Sequence, residues 1–268
     1  MSRTLTVGVI GAGRVGRALA AALTAAGHRV SVRPSSPANL DLLLLTVPDD
    51  AIAPVAAGLS LQPAQVVAHT SGAYGLSVLT PAGGRPLALH PAMTFTGEPT
   101  DVDRLPGISY GVTAPDDLRP FATRLVADLG GTVEWVAEAD RPRYHAALAH
   151  GANHLVTLVN EATDLLREAG VREPAELLAP LLRAALDNAL REGDAALTGP
   201  VARGDAGTIA KHLAVLKPAQ AAAYRALARR TAGRALAAGL LSPAAAEQLF
   251  ATLAEAATLD TVVGGGRA

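Results

Sequence analysis

Six residues near the amino terminus constrain this chain more than any others: Gly11-Ala12-Gly13-Arg14-Val15-Gly16, a Gly-x-Gly-x-x-Gly run. Such a run carries little weight alone. Here an apolar segment, residues 5–10, precedes it, and a helical pattern over residues 14–26 follows. A strand that turns on glycines into a helix is the opening of a dinucleotide-binding βαβ unit. In such a unit Gly11 permits the tight turn, Gly13 lets a pyrophosphate approach the backbone, and Gly16 lets helix and strand pack closely. Ala12, Arg14 and Val15 complete the turn. The free N–H groups at the helix start, at the positive end of its dipole, face the phosphates.

The pattern that follows extends this unit. Residues 29–32, 42–47, 66–69, 87–90, 108–112 and 132–136 read as further strands, and residues 50–58 and 115–129 as helices. Alternating strands and helices predict an α/β, Rossmann-type, mostly parallel sheet covered on both faces. One connection is too short for the standard form. Only residues 33–41, with Pro34 and Pro37 among them, separate the second strand from the third. A parallel crossover normally needs a dozen residues or more, usually with a helix, so a shortened second crossover and a more open adenosine pocket are expected.

The end of the second strand bears on the choice of dinucleotide. An NAD site places Asp or Glu there to hold the ribose hydroxyls. This chain has Arg33, Ser35 and Ser36, and no acid until Asp41. Guanidinium and hydroxyls suit a 2′-phosphate, which favours NADP(H); a solvated loop arginine is the plainer alternative for Arg33. Thr46-Val47-Pro48-Asp49 closes the apolar third strand. Ligands on open sheets bind at such carboxyl ends. Backbone at Val47 and Pro48 is therefore expected to line the nicotinamide ribose, or else the segment is a strand-to-helix turn capped by Asp49.

From about residue 139 the texture becomes helical. One long helix is expected over 140–169, with Asp140 as N-cap, Pro142 in its first turn and Gly170 at its end. Further helices are expected over 173–192, 206–217, 218–238 and 243–259, with a polar loop at 193–205. The expected division is a dinucleotide-binding domain over 1–138, a helical substrate and dimerisation domain over 139–262, and a disordered tail over 263–268. Composition bounds the rest. Half of the 268 residues are hydrophobic and 18% are charged, enough apolar side chain for a sizeable core. The net charge of −1 offers no field to hold nucleic acid. With no cysteine, disulfides, thiol catalysis and cysteine–zinc sites are excluded. No signal-peptide pattern and no long apolar span is evident, so a cytoplasmic protein is expected. Helices this rich in Ala and Leu bury an apolar face against a partner, and a homodimer is expected.

Four segments carry a resemblance beyond the glycine motif: His69-Thr70-Ser71-Gly72-Ala73, His90-Pro91 with Phe95, Tyr144-His145-Ala146-Ala147 with Asn153, and Leu197-Thr198-Gly199-Pro200 with Arg203-Gly204-Asp205. Together they resemble a bacterial family with a Rossmann-like half and a helical half of unknown function. That family lies among the 6-phosphogluconate dehydrogenase-like oxidoreductases, which include ketopantoate reductase, pyrroline-5-carboxylate reductase and prephenate dehydrogenase. The resemblance implies an NADP-linked oxidoreductase, ketopantoate-reductase-like in its most specific form, with a helical half similar to the 6-phosphogluconate dehydrogenase carboxyl-terminal domain. A non-catalytic dinucleotide-sensing or scaffold dimer is the alternative. The short crossover departs from the family pattern.

Reduction of a C=O or C=N needs an acid and donors for the developing anion. Histidine suits that role near neutrality, and the chain has seven. His90, with Ser71 upstream, is similar to the serine–histidine pair of prephenate dehydrogenases, and is the first candidate acid or donor. Ser71 is a donor or a turn-capping residue, and His69 is expected to be structural. The dehydrogenases that the chain resembles carry Lys-x-x-x-Asn on the helix facing the nicotinamide. If Asn153 matches that asparagine, Ala149 stands at the lysine position, and His145, one turn earlier, is the candidate replacement. Residues 145, 149 and 153 would lie along one helix face. Thr198, Arg203 and Asp205 are candidate substrate ligands, with Arg203 as a carboxylate clamp; alternatively, Asp205 caps the next helix. His150 and His154 lack a third ligand, so no metal site is expected. His28 and His212 are expected at the surface or as caps.

Overall fold

Leu42–Leu45 shows why the first half folds as it does. All four leucines are buried. Leu42 and Leu44 enter one hydrophobic cluster, and Leu43 and Leu45 enter another. A strand whose alternate side chains serve two cores is interior to a sheet covered on both faces. The computed structural model of the protein describes residues 3–255. Its strands are β1 (Thr6–Ile10), β2 (Arg29–Val32), β3 (Leu42–Leu45), β4 (Leu61–His69), β5 (Gly83–Pro91), β6 (Ser109–Thr113) and β7 (Thr132–Trp135). They form one sheet of seven in the order β2-β1-β3-β4-β5-β6-β7. Every pairing is parallel except β5 with β6, which places His90 opposite Gly111. The expected mostly parallel α/β sheet is present.

Helices α1 (Arg14–Ala25) and α2 (Asp49–Ala57) supply the opposing layers. Leu19 and Leu23 of α1 join the cluster of Leu42 and Leu44, whereas Ile52 and Ala56 of α2 join that of Leu43 and Leu45. Each such leucine, fully buried, contributes about 1.5–3 kcal/mol. Two further helices, α3 (Thr100–Asp103) and α4 (Arg119–Asp128), follow.

The shortened crossover is present, and no helix interrupts residues 33–41. Leu40 is buried, and the missing side chain of Gly8 makes room for Leu40 and Pro34 above the sheet. Gln65 anchors the segment from β4. Its Nε2 donates to the Pro37 carbonyl at 2.6 Å and to the Leu40 carbonyl at 2.8 Å, and its Oε1 accepts from Gln62 N–H at 2.8 Å. Asp41 lies at the amino end of the sheet, where its carboxylate accepts from Thr6 N–H at 2.8 Å.

The long helix expected over 140–169 is instead broken. A 3-10 turn (Glu138–Asp140) leads into α5 (Arg141–Leu148), a π-helical turn (Ala149–Asn153) follows, and α6 (His154–Glu168) completes the run. Asp140 occupies the N-cap position without a side-chain cap bond, because the 3-10 turn already sets the entry. Gly170 does end the run, with φ of 85°. After it come α7 (Pro174–Glu192), α8 (Gly199–Ala202), α9 (Ala206–Val215), α10 (Pro218–Ala237) and α11 (Pro243–Glu255). The loop expected at 193–205 is largely helical, since it holds α8 and a 3-10 turn (Gly193–Ala196). The end of the helix expected over 243–259 and the expected tail at 263–268 lie outside the described residues.

The chain divides into two compact units at Leu155/Val156. The first unit therefore runs past the boundary expected at 138 and includes α5. In the second, Val201, Ile209, Ala228, Ala232, Leu249 and Leu253 form a core. The alanines of α10 allow that close helix packing. Helix α7 leaves Leu177, Leu181, Leu186 and Leu190 exposed. Among the described residues no helix is long and apolar enough to cross a membrane.

Replacing Gln65 with alanine leaves two carbonyls and one N–H without this partner. Gln65→Ala is expected to cost about 1–3 kcal/mol in urea unfolding with an unchanged far-ultraviolet spectrum. A loss under about 0.5 kcal/mol would mean the crossover holds its shape unaided.

Candidate functional site

The three glycines of the turn meet different surroundings. Gly11 has φ of 108°, and a Cβ there would overlap the Thr46 carbonyl. A Cβ on Gly16 would overlap the Gly11 carbonyl and Thr46 Oγ1. A Cβ on Gly13 would meet nothing within 4 Å. Gly11 and Gly16 are thus required by the protein's own packing, while Gly13 faces open space at the start of α1. Thr46 Oγ1 donates to the Gly11 carbonyl at 2.7 Å and fixes the turn against the end of β3. Gly13 is the N-cap of α1, no side chain caps the helix, and no acidic residue stands in its first turn. Unsatisfied N–H groups with Arg14 beside them form a cradle suited to phosphate, so the residues present fit a dinucleotide. Val15 packs against the core below.

Arg33 is exposed at the end of β2, with φ of 55°, and its N–H bonds the Val9 carbonyl at 2.8 Å. It is the one non-glycine residue in the left-handed region among those described, a conformation that costs about 1–2 kcal/mol. Ser35 is exposed, and Ser36 Oγ accepts from Ala38 N–H at 3.2 Å. Asp41 is engaged at the opposite end of the sheet, so no carboxylate competes for the ribose side of this turn. Val47 is half-buried, and Pro48 is the N-cap of α2. The capping role considered for Asp49 is not what the structure has: Asp49 lies inside the helix start, and its Oδ2 accepts from Ser71 Oγ at 2.8 Å.

Ser71 and His90 follow from the ends of β4 and β5. Ser71 is buried, and its Oγ also accepts from Ala73 and Tyr74 N–H, each at 3.2 Å. Its single proton is committed to Asp49, so the hydroxyl holds the turn. His69 is fully buried between the Gly75 carbonyl, 2.9 Å from Nε2, and Ser71 N–H, 3.2 Å from Nδ1, which is a structural arrangement. His90 Nδ1 is 2.9 Å from the Tyr144 hydroxyl. The His145 ring stands edge-on to His90, with centroids 6.0 Å apart. His90, Thr94, His145, Ala149 and Asn153 line one cleft of about 210 Å³. The face shared by residues 145, 149 and 153 therefore survives the π-helical turn. Burial lowers the pKa of His90 to about 4, reinforced by the Arg141, His145 and His69 charges. It is neutral at pH 7.

Two residues around this cleft went unread in the sequence. Tyr144 bonds His90, and its ring fills the space that Gly111 leaves. Arg141 is fully buried. It donates to the Ser71 carbonyl, to Thr113 Oγ1 at 3.1 Å and to the Gly111 carbonyl at 3.4 Å. Tyr144 could have been found, because the Tyr-His pair stands in one of the segments that carry the resemblance. Nothing marks Arg141 locally.

The remaining candidates belong to the second unit or to structure. Asp205 caps α9, accepting from Thr208 N–H at 2.9 Å and Thr208 Oγ1 at 2.7 Å. Arg203 is exposed, and Thr198 is the N-cap of α8 without a side-chain bond. His28 corrects an expectation: it is buried, its Nδ1 accepting from Leu5 N–H at 3.2 Å and its Nε2 lying 3.2 Å from Asp128. His212 is exposed and bonds the Tyr224 hydroxyl at 2.8 Å. His150 and His154 approach each other at 3.0 Å. No group of three or more metal-binding side chains exists among the described residues.

Residues 31–91 match a Rossmann-like domain, and residues 108–231 match a domain of unknown function (DUF2520). Residues 6–53 match the family described as NADP oxidoreductase coenzyme F420-dependent. No curated protein matches the chain. Among solved structures it is similar to a candidate NADP oxidoreductase from Bacteroides fragilis, with TM-score 0.73 and 21% identity over 86% of this chain and 98% of that one. It is similar to a 1-pyrroline-5-carboxylate reductase from Streptococcus pyogenes, with TM-score 0.58 and 16% identity over 94% and 99%. A pyrroline carboxylate reductase from Plasmodium falciparum with NADP bound has TM-score 0.55 and 12% identity over 93% and 98%. At these identities the likeness shows a shared fold.

The state of His90 predicts a pH dependence. The unfolded chain binds a proton near pH 6.5 that the folded chain refuses until about pH 4. Stability present above pH 6.5 is therefore lost as pH falls through that window, and His69, also lowered chiefly by burial, acts in the same direction. His90→Gln is expected to flatten the fall of the urea midpoint between these values. A slope as steep as that of the wild type would mean the imidazole is solvated.

Proposed function

From a chain that joins a Rossmann-like domain to a domain of unknown function, we propose an NADP(H)-dependent oxidoreductase acting on a small carboxylated ketone or imine. The observation that carries this reading is the glycine turn. Gly11 and Gly16 are packed against Thr46 and backbone, while Gly13 faces open space at an uncapped helix start. The turn would hold the pyrophosphate, Arg33 with Ser35 and Ser36 the 2′-phosphate, and Val47 and Pro48 the nicotinamide ribose.

A bound nicotinamide supplies hydride; the chain must supply the proton and the donors. His90, His145 and Asn153 line the cleft beside β5. A neutral His90 acts there as a hydrogen-bond donor to the C=O or C=N. Ser71 positions rather than donates, since its proton lies on Asp49. The resemblance suggests that the substrate carboxylate is held by Arg203 and Thr198 of a second copy of the chain; Arg203 makes no ion pair among the described residues. A ketopantoate-type ketone is the most specific form of the proposal.

A second reading, a non-catalytic dinucleotide sensor or scaffold, is favoured by one observation. Ala149 and Asn153 line the cleft together, and if Asn153 matches the asparagine of the resembled dehydrogenases, Ala149 stands at their lysine position. In either reading the exposed leucines of α7 are proposed to pair with a second copy of the chain.

Titration with NADPH and NADH, followed by nicotinamide fluorescence, tests the reductase reading. Arg33→Ala is expected to weaken NADPH about 10-fold or more, one charge-assisted contact's worth, and to spare NADH. Gly13→Val is expected to fold normally and bind neither. No binding to wild type at millimolar concentration would sink the reductase and the sensor and leave the scaffold, whereas binding without turnover of any 2-keto acid or cyclic imine would favour the sensor. Light scattering is expected to give twice the monomer mass, and Leu181→Glu to halve it; a monomeric wild type would end the dimer proposal.

A further inference from the structure

Arg141 is a buried cation whose hydrogen bonds all go to neutral acceptors. Its Nε has no partner among the described residues. Buried charges usually sit beside an opposite charge, because desolvating an ion alone is costly. The Tyr144 phenol, three residues along α5, meets the same Gly111 whose carbonyl Arg141 bonds, and the Tyr144, Glu138 and Asp49 charges act on the guanidinium. The Tyr144 hydroxyl in turn lies 2.9 Å from His90 Nδ1. Burial pushes the phenol's pKa up while the Arg141 charge pulls it down, so the hydroxyl is protonated at rest and needs an acceptor. Nδ1 of a neutral imidazole is that acceptor. The other ring nitrogen, Nε2, faces Gly72, where a Cβ would stand 3.1 Å from it, and His145 crowds the same glycine.

We infer that Tyr144 donates its hydroxyl proton to His90 Nδ1, so that the imidazole carries its own proton on Nε2, on the side of Gly72 and His145, and that Arg141 stands ready to stabilise the phenolate. This deepens the reductase reading and rests on it. When the substrate heteroatom gains the electron pair of the C=O or C=N bond, it takes the proton from Nε2. The Tyr144 proton moves to Nδ1, so the imidazole stays neutral throughout. The phenolate left beside the Arg141 guanidinium takes its proton back from Nδ1 as Nε2 regains one from solvent, which restores the resting tautomer. His90 is the group that touches substrate, while Tyr144 and Arg141 are positioning residues. A histidine that stays neutral at pH 7 thus delivers a proton without first becoming a cation.

Nitrogen-15 spectra of histidine-labelled full-length protein, with no nucleotide or substrate added, read this arrangement. His90 in the wild type is expected as the Nε2–H tautomer, with Nδ1 unprotonated, at pH 7. Tyr144→Phe is expected to move its two nitrogen signals toward the average of both tautomers. Arg141→Met is expected to raise the phenol titration of Tyr144, read by ultraviolet difference absorbance, and Arg141→Lys to restore it in part. A wild-type His90 in the Nδ1–H form overturns the inference without recourse to any variant. So does a tautomer unchanged in Tyr144→Phe. Nucleotide binding plays no part in these spectra, so failure of the NADPH titration and failure of the proton route are separate results.

Discussion

Burial of the Arg141 guanidinium is the constraint on which the cleft depends. Its donors reach the Ser71 carbonyl after β4, and Thr113 and Gly111 on β6. One side chain from the first turn of α5 therefore ties that helix to two strands that are not neighbours. Removing a charge from water costs several kcal/mol, and the cost is offset only while its hydrogen bonds are made. Any slip of α5 along the sheet breaks all three together. Tyr144 and His145, on the following turn, inherit that fixed position. They can use it because Gly111 and Gly72 lack the side chains that would meet them.

The topology brings the two halves of the chemistry to one edge. In a parallel sheet the carboxyl ends of all strands lie together, and β1, β3, β4 and β5 are mutually parallel. The glycine turn follows β1, Thr46 follows β3, Ser71 follows β4, and His90 stands near the end of β5. The reversal at β6 serves the same edge differently. Because β6 runs against β5, Gly111 faces His90 across the ladder, and Tyr144 lies over that pair. A parallel β6 would have put another register, with its own side chains, beneath the phenol.

Much of this was legible in the sequence, for a physical reason. Interior strands such as Leu42–Leu45 are apolar on both faces, so they stand out whatever their neighbours are. The glycine turn was legible because Gly11 and Gly16 answer to contacts that only that residue type permits, and Gly13 leaves the helix start open. Arg141 was not legible. Arginine is almost always solvated unless it is paired, and the groups that bury this one come from residues 71, 111 and 113. His28 was missed in the same way, since its partners are Leu5 and Asp128. The π-helical turn at Ala149–Asn153 was hidden because Gly151 and Asn153 weaken a helix without saying how its hydrogen bonds shift. Only the hydrogen-bond ladder changes there, and no side chain announces it.

The absence of lysine at Ala149 takes on a different meaning once the cleft is built. An ammonium at that position would bring positive charge and a proton together on one side chain. Here the two are separated. The charge is permanent and sits out of water on Arg141; the proton sits on the neutral pair of Tyr144 and His90. A fixed cation that needs no reorganisation stabilises developing negative charge more effectively than a mobile, hydrated one. Burial, with that same cation reinforcing it, keeps His90 from protonating, which leaves the imidazole neutral toward an uncharged carbonyl. Substituting lysine for Ala149 would therefore not simply restore the resembled dehydrogenase arrangement. It would add a positive charge to a cleft whose imidazole is already held neutral by burial and by Arg141.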